Sequence, residues 1–566
     1  MISFWTTLSK NVRKKIVFIS IGNILIGILD LAMLVLIALL TATAFESAGG
    51  KSTSQFAFSS NPVNEYLRLS FLGDSNLTKI VFIFILVSSM RIVSIYWLAD
   101  ITLKTLTQES VVKLSRLTEL ILKDSSRIRV TSTQELIESI SRQIHLVYVQ
   151  FIGSKISMLS EGIYLALILG CLIILDPLTA LLLGIILSSG FLVLYLGTYR
   201  KARQIGIQIA TSTISINSRI LEILKVHREI VLSGKGKDII ETLRNPFVML
   251  ANARRSQTLL PTLSRFLVEG LIIIFLVSTG GIIFFTTSNS TEAITKILLL
   301  LITSSRAIPS ILRLQVYVLQ SNAAIGESIQ VQKLIRTFKS ESEEQPQVRS
   351  DFDTNLSFTN VSYIFPNQKE AVISNFNLVL EKGQFICISG PSGSGKSTLV
   401  DLALGFLKPS RGEIMISGME PSKAMIQWPG KVAYVPQEIG LIDGSIRFNV
   451  ALTSDEKIDE VKLAKALSVS CLEDFVSELP DGSITSVGNF ERTISYGQKQ
   501  RLGIARALYT DPQILILDEA TNALESKVIH EILNNLKNFS RKGRIVLFVS
   551  HQNEVLEMAD AIISLR

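Results

Sequence analysis

The sequence predicts a multidomain chain: an all-α six-helix transmembrane domain followed by an α/β domain. Composition gives the first reason, since 48% of the 566 residues are hydrophobic, 18% are charged and the mean hydropathy is +0.40. That is too apolar for an ordinary soluble protein and too charged for a chain embedded throughout. Pattern gives the second, because long apolar runs end near Ile311, and short β-branched runs alternate with helical patterns from about Leu356.

Six apolar runs reach, exceed or nearly reach the ~20 residues that a helix needs to cross the ~30 Å hydrocarbon core of a bilayer. They are Ile16–Ala44, Ile80–Thr102, Val147–Leu175, Leu178–Gly197, Phe266–Phe285 and Ile294–Ile311. The connections after the third and fifth runs lack Lys and Arg, whereas Lys104–Arg142 and Arg200–Arg255 are rich in both. By the positive-inside rule the former lie outside and the latter lie in the cytoplasm.

We assign residues 1–335 to the transmembrane domain, 336–355 to a polar, acidic linker and 356–566 to the α/β domain. The net charge of +8 fits the cytoplasmic loops of a membrane protein, so we expect no nucleic acid partner. The three cysteines, Cys171, Cys387 and Cys471, lie too far apart for a metal-ligand spacing or a disulfide framework.

A phosphate-binding loop follows the strand-like run QFICIS. The segment ISGPSGSGKSTLV contains Gly390-x-x-x-x-Gly395-Lys396-Ser397 and leads into a helical pattern, the context that a P-loop requires. Glycines let backbone N–H groups wrap a phosphate, and the helix N-terminus favours negative charge. We expect Lys396 to reach the β- and γ-phosphates and Ser397 to bind Mg²⁺. The candidate nucleotide contacts here are Gly390, Pro391, Ser392, Gly393, Ser394, Gly395, Lys396, Ser397 and Thr398.

Two further strand ends carry candidate catalytic residues. The run QILILDEAT ends in Asp518, expected near Mg²⁺, and Glu519, expected to polarise the attacking water. An acidic pair at a strand end can instead cap a helix, but the upstream P-loop favours the catalytic interpretation. The run ending VSHQ carries His551. A lone histidine there is more often structural, and only the rest of the set makes it a candidate γ-phosphate contact.

With these motifs in order, residues 356–566 resemble the nucleotide-binding domain of an ATP-binding cassette (ABC) protein. AYVPQE carries Gln437 at the position of the family's Q-loop, which the resemblance implies acts at the catalytic centre and on Mg²⁺. ISYGQKQRLGIARAL resembles the family signature, in which Ser495, Gly497 and Gln498 match. Phe365 matches the aromatic residue that stacks on adenine. ATP and Mg²⁺ are therefore the implied cofactors.

Three positions depart from the family pattern. Tyr496 replaces a glycine that is usual in the signature, and Asn489 stands where exporters of this class usually carry a glutamate. Glu525 replaces the aspartate that normally follows the Walker B strand. These departures lie at positions that the resemblance implies act in coupling and in cross-talk between sites. Glu519 and His551 are both present, so we expect hydrolysis.

The resemblance implies that ATP is held between the P-loop of one domain and the signature of another. The chain has one of each, so a dimer is implied; a homodimer would have two competent sites, and a heterodimer stays open. The fused spans resemble half of a type IV exporter, and this resemblance implies a location in a bacterial cytoplasmic membrane. By position, Asp124–Thr131 and Thr211–Asn217 are candidate segments for docking on the nucleotide-binding domain.

The arginines of the last two spans suggest a substrate class. Arg265 and Glu269 lie four apart on one helix face, and Arg306 and Arg313 flank Pro309. Both patterns, with the segment HREIVLSGKGKD, resemble PglK-type flippases of lipid-linked oligosaccharides, which implies a polyprenyl-pyrophosphate glycan. Arginine suits phosphate oxygens. Two alternatives stay open: Arg306 and Arg313 snorkel to the interface or pair with acids, and the cargo is a peptide, a drug or another lipid.

Overall fold

The computed structural model describes residues 8–47, 76–123, 132–175, 198–287, 290–339, 351–365, 368–487 and 494–565, with positions 177, 180, 181, 184 and 185. The chain divides into two compact units, Met1–Ser340 and Glu341–Arg566. Most of the predicted span Leu178–Gly197 and the candidate docking segment Asp124–Thr131 lie outside the described residues.

The described part of the first unit is helical. Its α-helices are α1 Lys10–Ser47, α2 Asn76–Lys123, α3 Thr133–Glu138, α4 Ile144–Leu146, α5 Gly153–Leu175, α6 Arg200–Lys225, α7 His227–Leu232, α8 Gly236–Thr286, α9 Ser290–Ala323 and α10 Ile325–Lys339. Two π-helical segments, Ser139–Gln143 and Val147–Ile152, join α3, α4 and α5 into one helical run. At about 1.5 Å per residue, α2 is roughly 70 Å long, so it extends far beyond a ~30 Å hydrocarbon core.

Among the described residues, three helical stretches are long and apolar enough to cross a membrane: Thr78–Leu122, Thr133–Ile174 and Gly236–Thr286. Only 6% of the most apolar window of the first is buried within the protein. Phe82 and Ile85 of α2 are accordingly 67% and 57% exposed. Such an outward apolar surface is compatible with lipid contact.

Helix α6 contains the candidate docking segment Thr211–Asn217. This segment lies inside the continuous helix Arg200–Lys225, and the described chain turns after it at positions 226–235. The hydroxyls of Thr211 and Thr213 donate to the carbonyls four residues earlier, at 3.0 and 2.8 Å. These bonds satisfy side chains that otherwise favour turns, so the polar segment stays helical.

Helix α6 also packs very closely against the junction of α9 and α10. A Cβ atom on Gly206 would lie 2.0 Å from the carbonyl oxygen of Ala323, and one on Gly326 would lie 2.5 Å from the carbonyl oxygen of Gly206. The two backbones are therefore in direct contact, which only glycine permits at both positions.

The second unit combines two main sheets with flanking helices. Its strands are β1 Asn355–Tyr363, β2 Ile373–Glu381, β3 Phe385–Ser389, β4 Arg411–Ile416, β5 Val432–Val435, β6 Gly444–Ser445, β7 Ser486–Val487, β8 Ile514–Asp518, β9 Ile545–Val549 and β10 Ala561–Ser564. Its helices are α11 Lys396–Ala403, α12 Pro421–Gln427, α13 Ile446–Ala451, α14 Glu460–Val469, α15 Glu473–Ser477, α16 Tyr496–Tyr509, α17 Ser526–Arg541 and α18 Asn553–Met558. The runs quoted above as QFICIS, AYVPQE, QILILDEAT and VSHQ overlap β3, β5, β8 and β9, respectively.

The larger sheet has five strands in the order β10-β3-β9-β8-β5, and each pairing with a resolved register is parallel. Ile388 pairs with Val549, and Val549 pairs with Asp518. Every residue of β8 and β9 is buried, as expected for parallel strands covered on both faces. The carboxyl ends of β3, β9, β8 and β5 therefore meet at one edge, where ligands bind in open α/β sheets.

A buried ion pair joins α1 to α2 in the membrane half. The guanidinium of Arg91 binds both carboxylate oxygens of Asp30, with Nη2 donating to Oδ2 at 3.2 Å. The Asp30 side chain is 6% exposed and the Arg91 side chain 22%. Each charge depends on the other, because an unpaired charge in this environment is costly.

We expect Asp30→Ala to lower the thermal stability of the purified protein strongly, by up to roughly 3–5 kcal/mol, because Arg91 loses its carboxylate. Asp30→Ala combined with Arg91→Leu should recover most of the loss. Glu241→Ala is the matched control, since the Glu241–Arg244 pair is 67% and 70% exposed and should contribute at most ~0.5 kcal/mol. A double variant as unstable as Asp30→Ala alone would show that the pair is not the cause.

Candidate nucleotide-binding and hydrolysis site

The P-loop follows β3 and makes two turns that require glycine. Gly393 and Gly395 have φ angles of 84° and 90°, in the left-handed region. A Cβ atom on Gly390 would lie 2.6 Å from the carbonyl oxygen of Leu565. Gly395 is the N-cap of α11, so the first N–H groups of this helix point into the loop. The loop therefore has the backbone form of an anion cradle.

Lys396 supplies the cationic side chain of this cradle. Its ammonium group donates to the carbonyl oxygens of Gly390 and Pro391, at 2.8 and 3.0 Å, so it lies folded over the loop. The other predicted phosphate contacts lie in the same loop or in the first turn of α11: Ser392, Ser394 and Thr398. This arrangement fits the phosphates of a nucleotide.

Ser397 and Asp518 form the candidate Mg²⁺ site. The Ser397 side chain of α11 lies beside the carboxylate of Asp518, which ends β8 and is 6% exposed. Burial raises the pKa of Asp518 above its ordinary value and the neighbouring charge of Glu519 adds to this, while the Ser397 hydroxyl opposes it. Hydroxyl and carboxylate oxygens are hard donors, so this donor set fits Mg²⁺.

Two of the predicted catalytic residues, Gln437 and His551, lie at the carboxylate of the third, Glu519. Glu519 accepts hydrogen bonds through Oε2 from Nε2 of Gln437 and from Nδ2 of Asn522, both at 2.8 Å. Nδ1 of His551 lies 3.8 Å from Oε1 of Glu519. Glu519 has a φ of 50°, a strained value for a residue other than glycine, and its N–H donates to Val549. The chain thus turns sharply after β8, and the Glu519 side chain lies beside Gln437, Asn522 and His551.

Phe365, the predicted adenine contact, lies just beyond β1. Its ring packs edge-to-face on Tyr363, with centroids 5.0 Å apart, and 36% of the residue is exposed. The carbonyl of Tyr363 accepts from the N–H of Val372, whose side chain lies against Gly395. The partly exposed ring is therefore connected to the P-loop through Tyr363 and Val372.

The signature residues begin α16. The Ser495 side chain accepts from the N–H of Gln498, and the Gln498 side chain accepts from the N–H of Ser495, which forms a capping box. A Cβ atom on Gly497 would lie 3.0 Å from the carbonyl oxygen of Ala523. Of the departing positions, Glu525 is the N-cap of α17 without a side-chain capping bond, and Asn489 lies outside the described residues.

Two contacts at this site were missed from the sequence. Asn522 is a second amide donor to Glu519, and the hydroxyl of Tyr496 donates to the carbonyl oxygen of Gln437 at 3.3 Å. The position of Asn522 three residues after Glu519 was a usable signal, since that spacing brings side chains together in a turn. The contact of Tyr496 with Gln437 joins residues that are distant in the sequence, so nothing in the sequence indicated it.

The three arginines proposed for the substrate differ in their ion-pair partners. Arg265 pairs with Glu269 at 2.7 Å as the spacing predicts, and its side chain is 65% exposed. Arg313 binds Glu161 of α5 through two bonds of 2.6 and 3.2 Å. Arg306 is half-buried, and within the described residues it forms no ion pair.

Comparison with known proteins finds similarity over the nucleotide-binding segment and in the fold of the chain. Residues 373–522 match the profile described as "ABC transporter". A solved structure titled "Structure of a bacterial Atm1-family ABC exporter with ATP bound" superposes with a TM-score of 0.76 over 99% of this chain and 94% of its own, at 17% identity. The chain has an ABC exporter fold. The predicted class, a helical membrane domain before a P-loop α/β domain, is therefore confirmed.

Curated relatives of this ABC segment differ in named activity. The chain is 37% identical over 213 residues to the "ATP-dependent lipid A-core flippase" of Cupriavidus metallidurans, covering 37% of this chain and 36% of the relative. It is 36% identical over 219 residues to the "Leukotoxin translocation ATP-binding protein LktB" of Mannheimia haemolytica, covering 38% and 30%. The match thus spans about a third of each relative, so it does not identify the cargo.

We expect Glu519→Gln to abolish most ATP hydrolysis while ATP still binds, because the phosphate cradle remains and the carboxylate that orients water is lost. Lys396→Ala should instead weaken ATP binding itself. Steady-state ATPase assays and equilibrium binding of a fluorescent ATP analogue separate the two effects. Full turnover in Glu519→Gln would contradict the role of Glu519, and unchanged ATP affinity in Lys396→Ala would contradict that of Lys396.

Proposed function

We propose that this protein is an ATP-driven membrane exporter of the flippase type, which moves an amphipathic substrate across a bacterial cytoplasmic membrane by alternating access. The convergence of Gln437, His551 and Asn522 on Glu519, beside a P-loop, carries the proposal. The exporter fold along 99% of the chain supports the coupling of hydrolysis to transport.

In the proposed reaction, the backbone of the P-loop and Lys396 hold the β- and γ-phosphates. Mg²⁺, held by Ser397, Asp518 and Gln437, would neutralise charge that develops on the phosphates. Glu519 accepts a hydrogen bond from the attacking water and orients it. The amides of Gln437 and Asn522 fix one oxygen of Glu519 and leave Oε1, on the side of His551, for this task.

The proposed assembly is a homodimer. One chain carries one P-loop and one signature helix, so a second copy supplies the complementary half of each site. The signature helix has an intact capping box, and the catalytic set is complete, which supports two competent sites of the same composition.

For the substrate we propose a lipid-linked oligosaccharide with a pyrophosphate head group, contacted by Arg306. Ser310 and Arg313, four and seven residues after Arg306 on α9, both bind Glu161 of α5. This face of α9 therefore turns toward α5, and Arg306 continues it. Arg306 also lies near Tyr164, which is one turn after Glu161 on α5.

The same contacts rank the three arginines. Glu161 already neutralises Arg313, and Glu269 neutralises Arg265, so each would have to exchange a carboxylate for the substrate. Arg306 has no such competitor among the described residues. A charge at the centre of a membrane helix costs at least ~2.5–3.5 kcal/mol, which a bound anionic head group would offset. Arg306 is thus the strongest candidate.

We expect Arg306→Ala to abolish flipping of a lipid-linked oligosaccharide in proteoliposomes and to leave basal ATPase activity nearly intact. Arg306→Lys should recover only part, because a point charge replaces a planar fork of donors. Arg255→Ala, an exposed arginine of α8, is the matched control and should flip normally.

Normal flipping by Arg306→Ala would remove the head-group role. Unfolding of both Arg306 variants would make the residue a structural anchor instead. If the wild type hydrolyses ATP but flips no oligosaccharide lipid, and a peptide, a drug or another lipid stimulates its ATPase, the cargo belongs to that class.

The six-span topology predicts which positions face outside. Cysteines introduced at Gly73 and Ser288, in a variant without the three native cysteines, should react with a membrane-impermeant maleimide in intact cells. A cysteine at Ser340 should react only after the membrane is permeabilised. External labelling at Ser340 would contradict the six-span topology, in which the segment after the sixth span lies in the cytoplasm.

A further inference from the structure

Tyr496, the residue of the signature that departs from the family pattern, makes a side-chain contact in the structure. Tyr496 begins α16, is 51% exposed, and stands where the family pattern has glycine. Its hydroxyl donates to the carbonyl oxygen of Gln437 at 3.3 Å. A glycine has no side chain to make this contact, so the substitution adds a connection between α16 and the Q-loop.

The contact belongs to a continuous row along α16. Seven residues after Tyr496, a Cβ atom on Gly503 would lie 2.3 Å from the side chain of Ile439. Three residues further, Arg506 donates to the carbonyl oxygen of Gly440 at 3.0 Å. Positions 496, 503 and 506 share one helix face, so the segment 437–440 runs along α16 and is held at both ends.

The helix that holds this segment is itself fixed. The capping box of Ser495 and Gln498 closes its N-terminus, and the Gln500 side chain accepts from the N–H of Ala523 at 3.1 Å. Tyr496 therefore donates from a defined position, at the end of the row nearest to Glu519.

We propose that Tyr496 is a positioning residue for ATP hydrolysis: its hydroxyl fixes the backbone of Gln437, so that the side-chain amide of Gln437 stays on Glu519. The inference rests on the proposed catalytic role of Glu519. The bond from Gln437 to Glu519 is short, at 2.8 Å, whereas the bond from Tyr496 is long for an O–H donor. The expected effect of losing it is consequently modest.

Tyr496→Phe in the full-length protein tests this, because it removes one hydroxyl and keeps the ring. We expect kcat for ATP to fall about two- to fivefold with KM and ATP affinity unchanged. We also expect faster hydrogen–deuterium exchange in the peptide containing residues 437–440, measured in the nucleotide-free protein. Tyr509→Phe is the matched control: its hydroxyl, at the other end of α16, accepts from the N–H of Asp459 at 2.8 Å.

Tyr509→Phe should leave kcat and exchange at 437–440 unchanged. The inference is overturned if Tyr496→Phe matches the wild type in both measurements, or if both variants lose activity equally, as general destabilisation of α16 would cause. Glu519→Gln in the same assay separates the two proposals. If that variant turns over normally, the catalytic assignment fails, and the exchange measurement alone decides whether Tyr496 holds the Q-loop.

Discussion

The parallel register of four strands is the constraint on which the nucleotide site depends. Ile388, Val549 and Asp518 stand side by side across β3, β9 and β8, and Val435 of β5 pairs with Leu517. Each chemically active segment begins one or two residues beyond these positions. A slip of one strand by a single residue would reverse the faces of its side chains and move its loop by about 3.3 Å, which exceeds the tolerance of a hydrogen bond.

At that edge, Asp518 and Glu519 are adjacent in the sequence, but their different surroundings suit them to different roles. Asp518 lies in the last position of a buried strand and meets Ser397, whereas Glu519 leaves the strand through a left-handed turn and meets two amides. The turn sends consecutive carboxylates in different directions. One is consequently suited to bind a cation, and the other is free to orient water.

The membrane half is governed by a different constraint, the cost of charge in an apolar environment. Arg91 and Arg313 are each matched by a carboxylate on another helix, Asp30 and Glu161. One pair connects α1 to α2 and the other connects α5 to α9, and in each pair either partner alone would be costly. Arg306, on the same helix face as Arg313, lacks a carboxylate within the described residues, and this difference makes it the candidate for an external anion.

The sequence predicted what depends on local chemistry and missed what depends on packing. Gly390–Ser397, Asp518 and Glu519 could be assigned because a phosphate loop needs particular residues at fixed spacing after a strand. The partner of Arg313 could not, because Glu161 lies 152 positions away. Thr211–Asn217 was proposed for docking by its position alone, and in the structure its hydroxyls are satisfied by the backbone of their own helix. Tyr496 combines both limits: its identity was visible as a departure from the family pattern, but its effect depends on how closely α16 approaches the Q-loop. Gly503 permits that approach. The contact of Tyr496 with the Q-loop therefore depends on both residues, and neither residue alone would predict this contact.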